Sequence, residues 1–334
     1  MENKMQVNKS EKINILLAVY HPNPIWFAEQ LESIDGQTYP NLSLIIIDDG
    51  PDSPIGEEFI STHIKNIPFR YIVHEINLGC NKTFEDLVPL ADGEYIAFCD
   101  QDDIWHTEKI QQLYEEIKAK DAAIAYCNLS AIDENDKNIA DDIRKIRKRD
   151  IFLSGKEIAR ELVLRNSIYG SSLLMKADLA RSALPLPVDA PYDHWCSLWA
   201  AIYGKVAFLD NALVQHRIHG ENLSTPLKGI NSKEDYIEQR IKRLQTRLEG
   251  FAERFAIEYD EETDSIIRER IQRAQSRTKT LREWADARER WLRGDKSAYT
   301  EFSKGKKLSL NAFRFERFMP FLPDIFFKWI IKQL

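Results

Sequence analysis

Three aspartates, Asp100, Asp102 and Asp103, have the residue types and spacing that most clearly suggest chemistry. They follow the apolar run 95–98, which is typical of a buried strand, and ligands of α/β proteins bind beyond the carboxyl ends of strands. Carboxylates this close together repel one another unless a cation or hydrogen bonds compensate their charge. A hard divalent cation that also contacts phosphate oxygens would do so. The alternative is an acidic turn that caps the next helix.

Apolar runs and helical periodicities alternate along the chain, and they predict the elements that position these carboxylates. Predicted strands cover 13–20, 42–47, 69–74, 95–98, 123–128, 168–175, 205–209 and 212–219, and predicted helices cover 25–37, 57–64, 81–91, 108–120 and 192–203. Strands that alternate with helices imply βαβ units and a mostly parallel sheet. Because the first, second and fourth strands end in polar or acidic residues, we expect one polar edge of the sheet to bind a ligand.

Farther along, the pattern changes to amphipathic helices, with apolar residues at helical spacing over 237–255 and again over 267–291. We therefore divide the chain into an α/β domain over 1–228 and a helical extension over 229–334, which could also mediate homo-oligomer formation. The tail 304–334 has seven Lys or Arg residues against two acidic ones, interleaved with aromatic side chains. Such a tail could lie at a membrane interface or pack on the helices, and the sequence leaves both open.

Composition excludes several classes of protein. The 334 residues carry a net charge of -7, which argues against a nucleic-acid partner. The four cysteines are widely spaced, so a reducing environment suits them better than a disulfide framework or a zinc site. The polar first twelve residues do not resemble a signal peptide, and no apolar run is long enough to span a bilayer. We expect a cytoplasmic protein, with peripheral attachment to the inner face of the cell membrane as a further option.

Four separated segments carry a resemblance to the family 2 glycosyltransferases. The quoted motifs are Leu17–His21 (LAVYH), Ile46–Gly50 (IIDDG), Asn77–Gly79 (NLG) leading to Asp100–Trp105 (DQDDIW), and Tyr192–Trp195 (YDHW) with Gln215–Asn222 (QHRIHGEN). Their order and spacing match the family from residue 13 to residue 224. The resemblance implies an inverting enzyme with a GT-A fold, in which a Rossmann-like, mostly parallel central sheet is followed here by the helical extension. Within the family, the sequence is most similar to bacterial rhamnosyltransferases of surface-polysaccharide synthesis.

The resemblance also implies how a nucleotide-diphosphate sugar would be bound. Tyr20 would flank the base and Asp49 would accept a hydrogen bond from its N3–H, while Lys82 would contact the diphosphate or the base. Asp100 would hold the ribose or a metal-bound water. By itself, the Asp-Asp-Gly at 48–50 is equally typical of a turn after a strand, and Lys82 of a solvated helix face.

A divalent cation, Mn²⁺ or Mg²⁺, would be held by Asp102 and His219 and would stabilise the departing diphosphate. An imidazole ligand favours manganese. Asp193 matches the catalytic base of the family, although an aspartate at a helix start is most often an N-cap.

The acceptor site would be lined by Trp105, Gly170, Ser171 and Trp195. The acceptor itself would be a glycan or a lipid-linked glycan of a bacterial surface polysaccharide, such as O-antigen, capsule or cell-wall polysaccharide. Rhamnose is the sugar that the resemblance suggests for transfer. His194 stands where the rhamnosyltransferase branch often has tryptophan, so the acceptor contacts differ from that branch.

Two other functions stay open at this point. A nucleotidyltransferase acting on sugar phosphates also uses an α/β sheet and metal-binding carboxylates, but it would need a basic, glycine-rich loop that the segment 20–23 does not offer. A non-catalytic, membrane-associated scaffold would use the helical extension and the aromatic tail. Deletion of the tail, with membrane association and transfer measured separately, would distinguish a tether from a catalyst.

Overall fold

The structure, a computed structural model, describes residues 10–148, 151–220, 229–256, 264–308, 310–322 and 327. The chain divides into two compact units. The first contains the described residues up to Leu186 together with Pro191–His219, and the second contains Pro187–Ala190 and the described residues from Gly220 onward. The domain boundary predicted after residue 228 lies outside the described residues.

Nine strands of the first unit form one mixed sheet. They are β1 (Ile13–Val19), β2 (Leu42–Asp48), β3 (Phe69–Val73), β4 (Tyr95–Cys99), β5 (Ile104–Trp105), β6 (Ile124–Ile132), β7 (Asn138–Ala140), β8 (Leu173–Lys176) and β9 (Val206–Arg217). Their order is β3-β2-β1-β4-β8-β6-β9-β5, and β7 pairs with β6. The strands β3, β2, β1 and β4 are mutually parallel, as are β6 and β9, whereas β8 runs antiparallel to β4 and β6.

Helices connect the parallel strands, as the predicted βαβ pattern requires. They are α1 (Pro24–Asp35), α2 (Glu57–His63), α3 (Cys80–Leu87), α4 (Lys109–Lys120), α5 (Ala159–Leu162), α6 (Ala177–Ser182) and α7 (Tyr192–Tyr203). Helix α1 illustrates why they begin where they do, because Asn23 Oδ1 accepts the N–H of Ile25 at 3.0 Å and Pro24 occupies the first helical position. The result confirms the predicted α/β fold.

The sheet centre is buried on both faces, which explains its continuous apolar strands. Ile15, Leu17 and Ile46 are fully buried, and helix α1 packs Phe27 and Leu31 into the same core. Strands β1, β2 and β4 therefore form a rigid base whose carboxyl ends lie along one edge.

The structure differs from the predicted strands in three places. The predicted strands 205–209 and 212–219 are one strand, β9. A bulge skips two residues between Leu209 and Ala212, and it interrupts the sequence pattern there. The predicted strand 168–175 is extended only from Leu173, after a single 3₁₀ turn. The short strands β5 and β7 were not predicted, since two or three residues carry no periodicity.

The second unit is helical. Its elements are α8 (Lys233–Tyr236), a π-helical segment over 237–242, α9 (Arg243–Phe255), α10 (Ser265–Leu292), α11 (Tyr299–Lys304) and α12 (Leu310–Glu316). Ser232 and Asp235 form a reciprocal capping box at the start of α8, with bonds of 3.0 and 2.9 Å. No helix in the described part of the chain is both long enough and apolar enough to cross a membrane.

Part of the aromatic tail packs against these helices. Phe313 and Phe327 are buried in a cluster with Trp291. Glu316 is fully buried and accepts hydrogen bonds from Arg288, which fastens α12 to α10. Phe318 and Phe321 are instead exposed, while other tail aromatics, such as residues 326 and 329, lie outside the described residues.

Candidate active site at the carboxyl edge of the sheet

Three predicted donor-site residues lie at the ends of three neighbouring parallel strands. Tyr20 follows β1, Asp49 follows β2 and Asp100 follows β4. Gln101, which sequence reasoning missed, joins two of these ends: its Oε1 accepts the N–H of Tyr20 at 2.8 Å and its Nε2 donates to the Tyr20 carbonyl at 3.1 Å. The Tyr20 side chain is half exposed, so its ring can contact a planar ligand.

Asp49 is nearly buried, and its carboxylate organises the loop after β3. Its Oδ1 lies 2.7 Å from His74 Nδ1 and accepts the N–H of Leu78 at 2.8 Å, and its Oδ2 accepts the N–H of Gly79 at 2.7 Å. Burial acts to raise the pKa of Asp49, but these hydrogen bonds outweigh it and hold the pKa below its ordinary value. Because a carboxylate offers about four acceptor positions, it retains room for one further donor.

The pairing of β5 with β9 brings residues 100–103, here called the acidic loop, to the end of β9. Ile104 lies opposite Gln215, and two residues before β5, Asp102 Oδ2 lies 2.8 Å from His219 Nε2. The side chains of both residues keep some exposure, at 18% for Asp102 and 10% for His219. In the part of the chain that the structure describes, no three His, Cys, Asp or Glu side chains form a metal-binding cluster.

The Asp102 carboxylate and the His219 imidazole fit a cation whose remaining ligands come from water or substrate. One carboxylate oxygen of Asp102 and one imidazole nitrogen of His219 face each other at 2.8 Å, and both side chains keep some solvent exposure. Mixed oxygen and nitrogen ligation suits Mn²⁺ better than Mg²⁺, and both ions commonly complete their shells with water and phosphate oxygens. The residues present therefore fit a substrate-completed site rather than a structural metal site.

Asp103 belongs to a buried ion pair next to this site. It is fully buried, and its Oδ1 lies 2.9 Å from His216 Nδ1. Burial opposes both charges, but the mutual attraction prevails: the pKa of Asp103 falls below its usual value and that of His216 rises above its own. Asp103 also accepts the N–H of Arg217 at 3.2 Å, so it serves to join the acidic loop to β9.

Arg217 is a second residue that the sequence analysis did not assign. Its guanidinium is fully buried; Nε donates to the Asp102 carbonyl at 3.0 Å, and one Nη donates to Glu29 of α1 at 2.7 Å. The other Nη pairs with Asp136, near the β6–β7 turn. The Trp26 ring lies 5.2 Å from this guanidinium, and therefore Arg217 links three distant segments around the acidic loop.

Asp193, the predicted base, lies in the first turn of α7 and accepts the N–H of His194 at 2.7 Å. The preceding residue, Tyr192, donates from its hydroxyl to Asp100 Oδ1 at 3.3 Å. Burial raises the pKa of Asp100, and the neighbouring carboxylates act in the same direction. The structure thus connects the start of α7 directly to the acidic loop.

The four predicted acceptor residues are all buried. Trp195 donates from its indole nitrogen to the Ala183 carbonyl at 2.8 Å, so its side chain lies in the core. Trp105 lies under the ammonium group of Lys109, which is 3.0 Å from the centre of the indole ring. Gly170 and Ser171 lie in the turn before β8, and Ser171 is 1% exposed. Contact of these residues with an acceptor stays a prediction.

Lys82, the last predicted donor residue, is nearly half exposed on α3. Its ammonium group pairs with Asp86 at 2.7 Å and Glu85 at 3.1 Å, and these hydrogen bonds raise the pKa of Lys82. In this arrangement Lys82 contacts its own helix, and contact with a diphosphate stays a prediction.

Comparisons with known proteins show which proteins this chain is similar to. Residues 24–178 match the family described as Glycosyl transferase family 2, a range that includes Asp49 and the acidic loop but neither Asp193 nor His219. Glycosyltransferase GlyG of Streptococcus pneumoniae is 32% identical over 130 residues, which cover 39% of this chain and 42% of GlyG. The chain thus spans less than half the length of that relative.

Two solved structures share the fold at low sequence identity. Staphylococcus aureus TarS 1-349, in complex with UDP-GlcNAc, is 14% identical with a TM-score of 0.56, over 89% of this chain and 92% of TarS 1-349. The mannosyltransferase PcManGT from Pyrobaculum calidifontis, in complex with GDP-Man and Mn²⁺, is 15% identical with a TM-score of 0.53, over 93% of this chain and 84% of PcManGT. Residues 24–178 are therefore similar to Glycosyl transferase family 2, and the chain shares the GT-A fold of these two structures.

Proposed function

We propose that this protein is a metal-dependent, inverting glycosyltransferase that moves a sugar from a nucleotide-diphosphate donor to a bacterial surface glycan. The observation that carries the proposal is the meeting of Asp49, Asp100 and the Asp102–His219 pair at one edge of the sheet. TarS and PcManGT, which have the same fold, bind UDP-GlcNAc and GDP-Man respectively.

The donor base would bind between Tyr20 and Asp49. The acceptor position that remains on the Asp49 carboxylate suits an imide N–H, such as that of uracil or thymine. The half-exposed Tyr20 ring offers a face for stacking, which contributes on the order of 1–3 kcal/mol per base in comparable sites. Asp100 would contact the ribose, and Lys82 would release its helix partners to reach the diphosphate.

Asp102 and His219 would hold Mn²⁺ or Mg²⁺. When bound, such a cation neutralises the charge that develops on the leaving diphosphate. The protein itself positions both ligands. Arg217 donates a hydrogen bond to the Asp102 carbonyl, and His219 lies two residues after the end of β9.

Asp193 would act as the base. Inversion requires the acceptor hydroxyl to attack from the face opposite the nucleotide while one group removes its proton, and a single carboxylate suffices for this. Asp193 lies at the start of α7, next to the residue that contacts Asp100. Gly170 and Ser171 lie on a neighbouring turn and would line the acceptor side, together with Trp105 and Trp195.

A growing glycan on a lipid carrier is the acceptor that we propose, with rhamnose as the candidate sugar.

Arg314 and Arg317 are exposed together with Phe318 and Phe321, on a segment that Glu316 anchors to the helical unit. Basic and aromatic side chains that face outward together suit an anionic membrane surface. Sedimentation with phosphatidylglycerol vesicles would test this contact, and equal binding by the Phe318→Ser/Phe321→Ser variant would exclude it.

The proposed activity is tested with Asp193→Asn. We expect transfer to fall by a factor on the order of 10²–10⁴, because the base is lost, while the donor dissociation constant changes less than about twofold. Asp178→Asn, at a carboxylate that is 93% exposed on α6, is the matched control. Near wild-type transfer by Asp193→Asn would exclude the base role. Pyrophosphate release from a nucleoside triphosphate and a sugar phosphate would instead support a nucleotidyltransferase.

A further inference from the structure

Tyr192 is the side chain on which the separate parts of the site converge. We infer that Tyr192 is a positioning residue whose hydroxyl holds the start of α7 against the acidic loop. In this way Tyr192 keeps the base Asp193 in a fixed position relative to the donor-binding residue Asp100. The inference rests on the proposed function. It assigns to Tyr192 a role in the turnover step rather than in contact with either substrate.

The ring of Tyr192 is fixed by two phenylalanines from different elements. It stacks on Phe84 of α3 with ring centres 3.7 Å apart, and it meets Phe98 of β4 edge-on at 5.0 Å. The residue is 7% exposed. Aromatic pairs of this kind restrict a ring to one orientation, so the hydroxyl has a defined direction.

Two hydrogen bonds of Tyr192, one from its hydroxyl and one from its backbone N–H, also fix its position. The hydroxyl donates to Asp100 Oδ1 at 3.3 Å, and the N–H of Tyr192 donates to Asn81 Oδ1 at 3.1 Å. Burial, and then the carboxylates of Asp100 and Asp193, raise the pKa of Tyr192 well above its ordinary value, so the hydroxyl keeps its proton and remains a donor. Tyr192 is therefore bonded at both ends to donor-side elements.

Gly170 makes room for this arrangement. A Cβ at Gly170 would lie 2.1 Å from the Tyr192 hydroxyl oxygen and 2.7 Å from the ring carbon that bears it. Any side chain at position 170 would therefore displace the Tyr192 hydroxyl from Asp100. This steric requirement accounts for the glycine in a segment that sequence reasoning assigned to the acceptor site.

The consequence for chemistry follows from the order of the residues. Asp193 is the next residue after Tyr192 in the first turn of α7, so a shift of the Tyr192 ring moves the base. A displacement of about 1 Å at a reacting group can lower a rate by on the order of 100-fold. A residue that acts in this way affects turnover more than donor affinity.

The first test is Tyr192→Phe, which removes the hydroxyl and keeps the ring. We expect kcat for transfer to fall by about two- to tenfold, since one buried hydrogen bond contributes about 0.5–1.5 kcal/mol, while the donor dissociation constant stays within about twofold. The matched control is Tyr126→Phe, because the Tyr126 hydroxyl is also buried and bonds Leu153 at 2.8 Å, away from the carboxyl edge. Tyr126→Phe should lower the melting temperature without lowering kcat.

The second test is Gly170→Ala, with and without Tyr192→Phe. The single alanine variant should lose more kcat than Tyr192→Phe, because the whole ring moves. The double variant should melt at a higher temperature than Gly170→Ala, since the shortest clash involves the hydroxyl oxygen that phenylalanine lacks.

The results separate this inference from the proposed function. If the wild type binds no nucleotide sugar and transfers none, the proposed function is wrong. If the wild type is active and Tyr192→Phe keeps the same kcat as Tyr126→Phe, the positioning role is wrong and the proposed function stands. A loss confined to the donor dissociation constant would likewise overturn the positioning role, because it would make Tyr192 a donor-binding residue.

Discussion

Replacement of Arg217 by methionine should destabilise the first unit and weaken its affinity for Mn²⁺. Arg217 is fully buried, and its donors bond the Asp102 carbonyl at 3.0 Å, Glu29 at 2.7 Å and Asp136. Methionine has a similar length but no donor, so these three bonds are lost together with a longer one to the Asp133 carbonyl at 3.4 Å. The backbone of Asp102, which would carry a metal ligand, then loses the contact that fixes it.

The magnitude depends on how far water can replace these bonds. The Glu29 and Asp136 side chains are 32% and 53% exposed, so each recovers hydration and each lost bond costs only about 1 kcal/mol. Loss of the bond to the Asp102 carbonyl adds about 1 kcal/mol. The expected loss is about 3 kcal/mol, which lowers the melting temperature of a unit of about 200 residues by about 6–12 °C.

Thermal denaturation followed by circular dichroism and Mn²⁺ titration followed by electron paramagnetic resonance would measure the two effects. Arg144→Met is the matched control, because Arg144 also pairs with two carboxylates, Asp142 and Asp210, but is 40% exposed. The control should cost less than about 1 kcal/mol. If Arg217→Met melted within about 2 °C of Arg144→Met, the argument that burial makes Arg217 a structural link would be refuted.

Three further predictions concern other parts of the chain. Asp102→Ala should abolish the rise in melting temperature that Mn²⁺ produces in the wild type, and unchanged transfer in excess chelator would exclude the metal role. Burial lowers the pKa of Lys109 to about 7, so its charge destabilises the fold most below pH 7 and not at all above the unfolded value of about 10.4. Lys109→Met should therefore gain stability relative to wild type at pH 6 and lose that gain toward pH 10; a difference independent of pH in urea titrations would contradict this. Gly305→Ala should cost about 1–3 kcal/mol in the helical unit, because its Cβ would lie 1.8 Å from Trp284 Nε1, and unchanged urea unfolding would show that the site relaxes.

The elements that repeat a clear period were predictable from the sequence, and the short or irregular ones were not. The runs that form β1 and β2 are predominantly apolar, and α1 shows an N-cap, a proline and helical spacing. Strand β5 has two residues and exists only because β9 lies beside it. The bulge in β9 interrupts its pattern, so one strand looked like two.

The same distinction applies to the site. Asp49 and Asp102 could be proposed from the sequence because they follow predicted strands and lie in motifs that carry the family resemblance. Arg217 was missed because one of its main partners, Glu29, is 188 residues away in sequence, and the sequence does not show that the two residues are in contact. Gln101 was missed because its amide bonds the backbone of Tyr20, and no residue type at position 20 would reveal that contact.

Each carboxylate of the acidic loop has a different partner within the protein. Asp100 accepts from a tyrosine hydroxyl, Asp102 faces His219, and Asp103 pairs with a buried histidine. The side chains of Asp102 and His219 are 18% and 10% exposed, whereas Asp103 is fully buried.

A cation bound as proposed would replace the contact between Asp102 and His219, while the bonds of Asp100 and Asp103 would keep the loop in place. The aspartates of the acidic loop, which are equivalent in residue type, thus differ in how deeply they are buried. The fully buried carboxylate, Asp103, holds the loop to β9, whereas Asp102, whose side chain is 18% exposed, is the one that would exchange a hydrogen bond for a metal. This division predicts that Asp103→Asn lowers stability in the absence of metal, whereas Asp102→Asn lowers metal affinity with little change in stability; urea unfolding and Mn²⁺ titration of the two variants would measure it. The reverse result would refute the division.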